Sequence, residues 1–335
     1  MTAGIYLDTY LSALAPWLGR DDITDLLINR PGEVWIESGG GALNAIAAPQ
    51  VTELVLGRLA RQIAAASHQG VNREHPLLSA TLPGGGRVQI IGPPATRAGT
   101  VLAIRKHVIA DLSVDDLSQR GLFGPAAGAL RREERNGELA ALLDGGDTAE
   151  FLKQAVRARK TIVISGGTGS GKTTLLNALV REIERGERLI AIEDAPEIRL
   201  DHPNALGLIA VRGEQGEARV DADDLLRASL RMRPDRILMG ELRGNEAFAF
   251  LRAVNSGHPG SITTVHADSP EGAIDQIALL AMTSGLNLGW SKIQTYVRRV
   301  IDVIVQLERQ GGRRRVAEVH FLRAADSAAP QEPDC

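Results

Sequence analysis

Apolar residues recur along the chain at two different periods, and the alternation between those periods divides it into elements. Near the start, Ile5, Leu7, Leu11, Leu14 and Leu18 fall on roughly one face of a helix. The stretch DITDLLINRPGEVWIES then reads as two β-rich runs joined at Asn29, Arg30, Pro31 and Gly32, a turn composition. A second helix is predicted over 51–66, with Leu54, Val55, Leu59 and Ile63 inward. LLSATL, RVQIIG and TVLAIRKH are three further strands, the first two separated by a turn at 83–86. Together these predict a smaller N-terminal α+β domain over residues 1–107. Over 108–158 the periodicity weakens and only short helical pieces such as SVDDL and EFLKQAV remain, which predicts a linker with helical segments.

A different rhythm holds over 159–323. TIVI is an apolar run of buried-strand type, and Leu175, Leu176, Leu179, Val180 and Ile183 then recur at helical spacing. RLIAIED, GLIAVRG, DRILMGE and SITTV are strands, interleaved with a helix begun at Asp221 as N-cap and another through Phe248, Leu251 and Val254. Strands alternating with helices predict an α/β domain whose mainly parallel sheet is covered on both faces, with ligands at the carboxyl ends of its strands. A polar tail occupies 324–335.

Those strand ends carry the chemistry. Between TIVI and its helix, Gly166, four residues, Gly171, Lys172 and Thr173 complete a P-loop in the strand and helix context it requires. A triphosphate needs several backbone N–H groups aimed inward at a helix N-terminus, which is why glycine recurs there. Gly166, Gly167, Thr168, Gly169, Ser170, Gly171, Lys172, Thr173 and Thr174 are therefore the predicted binding residues for ATP or GTP. In this motif Lys172 reaches the β- and γ-phosphates and the Thr173 hydroxyl ligands Mg²⁺. Glu193 with Asp194, then Glu241, then His266 each follow an apolar strand. Glu241 is assigned to orient or deprotonate the attacking water and Glu193 or Asp194 to hold Mg²⁺, with those roles exchangeable; His266 is assigned to the γ-phosphate.

Composition narrows the function class. The 335 residues carry a net charge of −3, with 44% hydrophobic and 24% charged residues, ordinary for a globular protein. The single cysteine, Cys335, excludes a disulfide framework and a thiolate zinc cluster and fits a reducing cytoplasm. No uncharged apolar run is long enough to span a bilayer, and MTAGIYLDTY has neither a basic region nor an apolar signal core. Any membrane association is expected to be peripheral. Aromatic residues at 3% leave few stacking platforms for single strands, so stable nucleic-acid binding is not expected.

In order and spacing, GGTGSGKTTLLNAL, LIAIEDAPEI, RPDRILMGELRGNEAF and GHPGSITTVHA resemble the Walker A, Asp box, Walker B and His box series of the secretion ATPases. This superfamily drives type II and type IV secretion and type IV pili. Gly240 stands where Walker B usually has Asp. TDLLINRPGEVWIE and GGGRVQIIGPPAT further resemble the traffic ATPase of type IV secretion systems. The resemblance implies a RecA-like C-terminal domain, a homohexameric ring and ATP bound at the cleft between a chain's two domains. It also implies contact with other ATPases and inner-membrane components of a type IV secretion system, at the cytoplasmic face of the inner membrane. Family members place N-terminal-domain arginines on the phosphates, and the matching positions are Arg87 and Arg105, while Arg231, Arg233 and Arg243 are candidates to act across the ring. Three other readings are a pilus or type II secretion motor of the same superfamily, a nucleic-acid motor and a small-molecule kinase. The N-terminal resemblance disfavours the first, charge and aromatic content the second, and the lack of an identifiable acceptor pocket the third.

Overall fold

A computed structural model describes residues 2–39, 41–106, 113–119, 123, 128–211, 213, 216–285 and 288–322. The expected tail over 324–335, with Cys335, and the expected boundary at 107 lie outside them.

The N-terminal unit begins with α1 (Thr2–Leu11), a 3₁₀ turn and a short α2 (Ala15–Leu18). The predicted single helix is thus broken: Pro16 has no N–H to continue the ladder, so it opens a new turn instead. Then come β1 (Ile23–Ile28), β2 (Gly32–Ser38), β3 (Asn44–Ala48), α3 (Glu53–Ala66), β4 (Leu77–Thr81), β5 (Arg87–Ile91) and β6 (Val101–Arg105). Strand β3 was not anticipated, because NAIAA lacks the β-branched density that marked the others. The strands form one antiparallel sheet in the order β3-β2-β1-β6-β5-β4. In α3, capped by Thr52, the buried stripe is Leu56, Leu59, Ala60, Ile63 and Ala64. The expected inward Leu54 lies off that stripe and is 59% exposed.

Alternation along the strands decides what each face covers. Leu26 and Ile28 of β1 and Leu102 and Ile104 of β6 pack beneath the helices with Leu7, Leu14, Leu56 and Ile63. Leu27, Val101 and Ala103 point the other way, into the core of the C-terminal unit, with Trp35, Ile91 and Ala95. The loop after β5 docks there as well.

Beyond α4 (Val114–Gln119), α5 (Gly128–Asp144) and α6 (Thr148–Arg157) are helical segments within the stretch expected as a linker. Phe151, Leu152, Ala155 and Val156 of α6, with Leu139 and Ala140 of α5, lie buried against strand residues Ile162, Ile164, Val303 and Val305. The last third of the expected linker therefore belongs to the C-terminal core. EFLKQAV is an amphipathic helix sequence whose apolar side needs a sheet to cover.

The C-terminal unit continues with β7 (Ile162–Gly166), α7 (Lys172–Val180), β8 (Leu189–Glu193), β9 (Ala205–Ile209), α8 (Ala222–Ser229) and β10 (Arg236–Met239). It ends with α9 (Glu246–Asn255), β11 (Ile262–Val265), α10 (Pro270–Met282), α11 (Trp290–Val300), β12 (Val303–Gln310) and β13 (Arg313–Phe321). The sheet order is β13-β12-β7-β11-β10-β8-β9, parallel throughout except for β13. As read from sequence, Asp221 caps α8, and its partner Asp224 closes a capping box. The parallel register brings the carboxyl ends of β7, β8, β10 and β11 to one edge, as the order of their motifs requires.

Two arginines are completely buried at the opposite edge. Arg236, the first residue of β10, meets Glu187 in a bidentate pair, Nη2 to Oε1 at 2.6 Å and Nε to Oε2 at 2.8 Å, and donates to the Val156 carbonyl at 2.8 Å. Arg188 donates to the Met232 carbonyl at 2.8 Å and to Asn29 Oδ1 of the N-terminal unit at 2.7 Å. Burial pushes its pKa down to about 9, against the opposing charge of Asp235. Breaking a buried pair leaves an uncompensated charge. Glu187→Ala should therefore destabilise the fold by about 3–5 kcal/mol, read as a lower denaturant midpoint at unchanged slope.

Candidate active site

Gly166 ends β7, and Lys172 begins α7 after Gly169 (φ 74°) and Gly171 (φ 102°), so the loop curls around the helix N-terminus. Lys172 is buried and folds back, its Nζ donating to the carbonyls of Gly166 at 2.8 Å and Gly167 at 3.2 Å. Burial lowers its pKa, and the nearby Arg243 charge lowers it further against the pull of Glu241. An ammonium whose donors go to loop carbonyls is poised to exchange them for phosphate oxygens.

Register places the next pair. β10 and β11 run side by side, Leu238 opposite Ile262 and Met239 opposite Thr263, so the residues just past them meet. His266 Nε2 lies 3.1 Å from Glu241 Oε1, and both His266 ring nitrogens are 3.5 Å from Lys172 Nζ. Glu241 Oε2 accepts from Arg243 Nη2 at 2.7 Å, and Arg243 Nη1 is 3.2 Å from Asp194 Oδ2. Burial alone raises the Glu241 pKa, but the Arg243 hydrogen bond and the charges of His266, Arg243 and Lys172 outweigh it, so the net shift is downward. Glu241 is thus an ionised acceptor at neutral pH. Gly240, found where Walker B usually has Asp, has a steric reason: a Cβ there would sit 3.2 Å from Glu193 Cγ on the adjoining β8.

Glu193 is only 5% exposed, and its oxygens are already engaged. Oε1 accepts from the backbone N–H groups of Glu197 at 3.0 Å and Ile198 at 2.7 Å, while Oε2 forms an ion pair with Arg97. In this conformation Glu193 shapes the 194–198 turn, and Glu197 presents its carboxylate to the P-loop, accepting from Thr173 Oγ1 at 3.0 Å. The sequence reading stopped at Glu193 and Asp194 and missed Glu197. A carboxylate four residues past a strand end carries no periodic signal; only the turn that Glu193 holds brings it back.

Arg97 was missed for a similar reason, since it sits in the loop between β5 and β6. Arg97 N donates to Gly207 O at 3.0 Å and Ile209 N to Ala95 O at 2.9 Å, so that loop covers the edge strand β9. Arg97 Nη1 then reaches Ile198 O at 2.9 Å, beside Glu193. The two arginines expected from the N-terminal domain are elsewhere: Arg87 and Arg105 are exposed and directly opposed on β5 and β6, outside the cavity that contains the P-loop. Arg233 pairs with Glu37 and lies 3.9 Å from Asp25, both on the N-terminal sheet. Arg231 Nη1 is 3.4 Å from Arg227 O; only Arg243 of those three joins this chain's own site.

These residues enclose a cavity of about 490 Å³, lined by 168–174, Glu193, Asp194, Glu197, Glu241, Arg243, His266 and Arg314. A volume of that size suits a nucleotide. The predicted P-loop residues Thr168, Gly169, Ser170, Gly171, Lys172, Thr173 and Thr174 all line it, while Gly166 and Gly167 supply the carbonyls to Lys172.

A family model described as "Type II/IV secretion system protein" matches residues 129–332, more than half of the chain. The chain belongs to this secretion family. Its relatives within the family extend the match across both units. It is 39% identical over 330 residues to the type IV secretion system protein VirB11 of Bartonella quintana, covering 93% of this chain and 92% of that one. To the type IV secretion system protein PtlH of Bordetella pertussis it is 42% identical over 331 residues, covering 94% and 95%. The crystal structure of the VirB11 ATPase of Brucella suis, solved in complex with sulphate, superimposes with a TM-score of 0.87 at 36% identity, covering 96% of this chain and 99% of that one. This member of the secretion family is accordingly an ATPase with the RecA-like α/β fold that the motif series implied.

Proposed function

We propose that the chain powers a type IV secretion system as a homohexameric ATPase, converting hydrolysis into closure between N-terminal and C-terminal domains. The observation that carries this reading is one cavity in which Lys172 and the glycine loop face Glu241, His266 and Arg243. Lys172 leaves the Gly166 and Gly167 carbonyls for the β- and γ-phosphates of ATP, Glu241 orients the attacking water, and His266 contacts the γ-phosphate. The donors near Thr173 suit Mg²⁺: a hydroxyl and the Glu197 carboxylate 3.0 Å apart, with Asp194 and Glu193 on the same turn. Among the described residues no three His, Cys, Asp or Glu side chains form a metal cage. That agrees with a cation held partly through phosphate oxygens and water. When bound, Mg²⁺ neutralises phosphate charge as it develops.

The apolar interface joining the two units of one chain argues that the closing cleft lies between this chain's C-terminal domain and the N-terminal domain of its neighbour in the ring. Arg87 and Arg105 then reach the phosphates from that neighbour. The site of action is the cytoplasmic face of the inner membrane, by peripheral contact with the inner-membrane components and other ATPases of the system. Among the described residues no helix is long and apolar enough to cross a membrane.

Mixing inactive variants tests this reading. Lys172→Ala lacks a working P-loop and Arg105→Ala lacks the arginine, so each alone should be inactive. Mixed rings should recover ATPase activity where an intact P-loop adjoins an intact arginine. A mass near six chains by light scattering in the presence of a non-hydrolysable ATP analogue should accompany it. A monomer with full activity at every concentration overturns the ring.

A further inference from the structure

Strand β12 runs parallel to β7, with Val305 opposite Ile164 and Leu307 opposite Gly166. β7 breaks into the phosphate loop at Gly166, but β12 continues to Gln310 and turns through Gly311 and Gly312 into β13. The hairpin therefore flanks the loop, with side chains alternating between its two faces. On one face Glu308 and Arg315 are opposed and ion-paired. On the other, Arg309 and Arg314 are opposed. Like charges placed directly opposite each other destabilise a ladder, and neither guanidinium is paired with a carboxylate among the described residues.

That second face is the one turned to the phosphate loop. Arg309 Nη1 lies 4.0 Å from where a Cβ on Gly169 would stand, and Arg314 Cδ lies 3.2 Å from the same point on Gly171. The φ of 102° favours glycine at Gly171, and the Arg314 stem crosses it closely. Arg314 also lines the nucleotide cavity.

We propose that Arg309 and Arg314 form a second cationic subsite for the phosphate chain of the bound nucleotide, additional to Lys172 and the loop N–H groups. The inference rests on the ATPase reading above. A polyanion between hairpin and loop offsets the repulsion of the two guanidinium groups, whose forked donors match phosphate oxygens.

Calorimetric titration of the full chain with ADP and with inorganic pyrophosphate tests the subsite. Arg314→Ala and Arg309→Ala should each weaken both ligands about 10-fold, the scale of one charge-assisted contact. Arg314→Lys should recover part of the loss, and turnover should show it in KM for ATP more than in kcat. Both side chains are exposed and removing either one relieves the repulsion, so thermal melts at or slightly above wild type are expected. Unchanged affinity for both ligands overturns the subsite. So does a loss confined to ADP, which moves the contact to the nucleoside, or a drop in oligomer mass at unchanged affinity, which moves it to a contact between chains. Lys172→Ala separates the two levels of inference. If binding is lost there and kept in the arginine variants, only the subsite fails; if Lys172→Ala itself binds and turns over normally, the reading beneath it fails.

Discussion

Lys172→Ala should reduce ATP hydrolysis by about 10³-fold or more, a loss at the upper end of that for removing one preorganised donor from developing charge. In the folded protein the ammonium is held by two loop carbonyls and touches both ring nitrogens of His266 at 3.5 Å. The substitution therefore removes a phosphate contact without cutting a structural pair, and the fold should survive. Steady-state ATPase rates beside a thermal melt check both halves of the statement. A variant that melts like wild type and hydrolyses ATP normally contradicts the site.

Glu241→Gln should separate binding from turnover. Losing a positioned acceptor for the water proton lowers kcat by about 10²- to 10⁴-fold, while the phosphate contacts of the loop stay intact. ADP affinity should remain within about 2-fold of wild type, since Glu241 contacts Arg243 and His266 rather than the loop backbone. Its pKa also fixes a pH dependence. Because Arg243, His266 and Lys172 together lower the Glu241 pKa from its ordinary value, the base form persists as pH falls, and the acid limb of kcat/KM assigned to Glu241 should lie below the ordinary glutamate value of about 4.3. Rate profiles at ATP well below KM, taken where the chain remains folded, measure this. A Gln variant with wild-type kcat removes Glu241 from the reaction.

The same dependence on neighbours explains which features were legible beforehand. Local chemistry named the P-loop, because a phosphate needs consecutive N–H groups at a helix N-terminus, and that demand is met within eight residues of sequence. Periodicity similarly named the strands whose ends bear Glu241 and His266. Features that depend on distant neighbours escaped. Leu54 was assigned inward because one turn of helix cannot say where the stripe begins; the Thr52 cap decides that. The stretch over 108–158 reads as a linker with helical segments, and the packing of its last part stays hidden because an amphipathic helix shows no partner until a sheet is present to cover it. Glu197 and Arg97 entered the site through a turn and an edge-strand contact, neither of which leaves a period in the sequence.

The sequence by itself determined the α/β class, the phosphate loop, and the set of strand-end groups, since each depends on residues close together along the chain. Tertiary structure alone decided which of those groups touch. Parallel register set Glu241 against His266 and carried the β12–β13 arginines over the loop, and the packing of one N-terminal sheet face against the C-terminal core held Arg87 and Arg105 away from their own chain's cavity. The physical reason is that side-chain period specifies a face, whereas contact between faces depends on strand order and register, which are settled by burial over the whole domain.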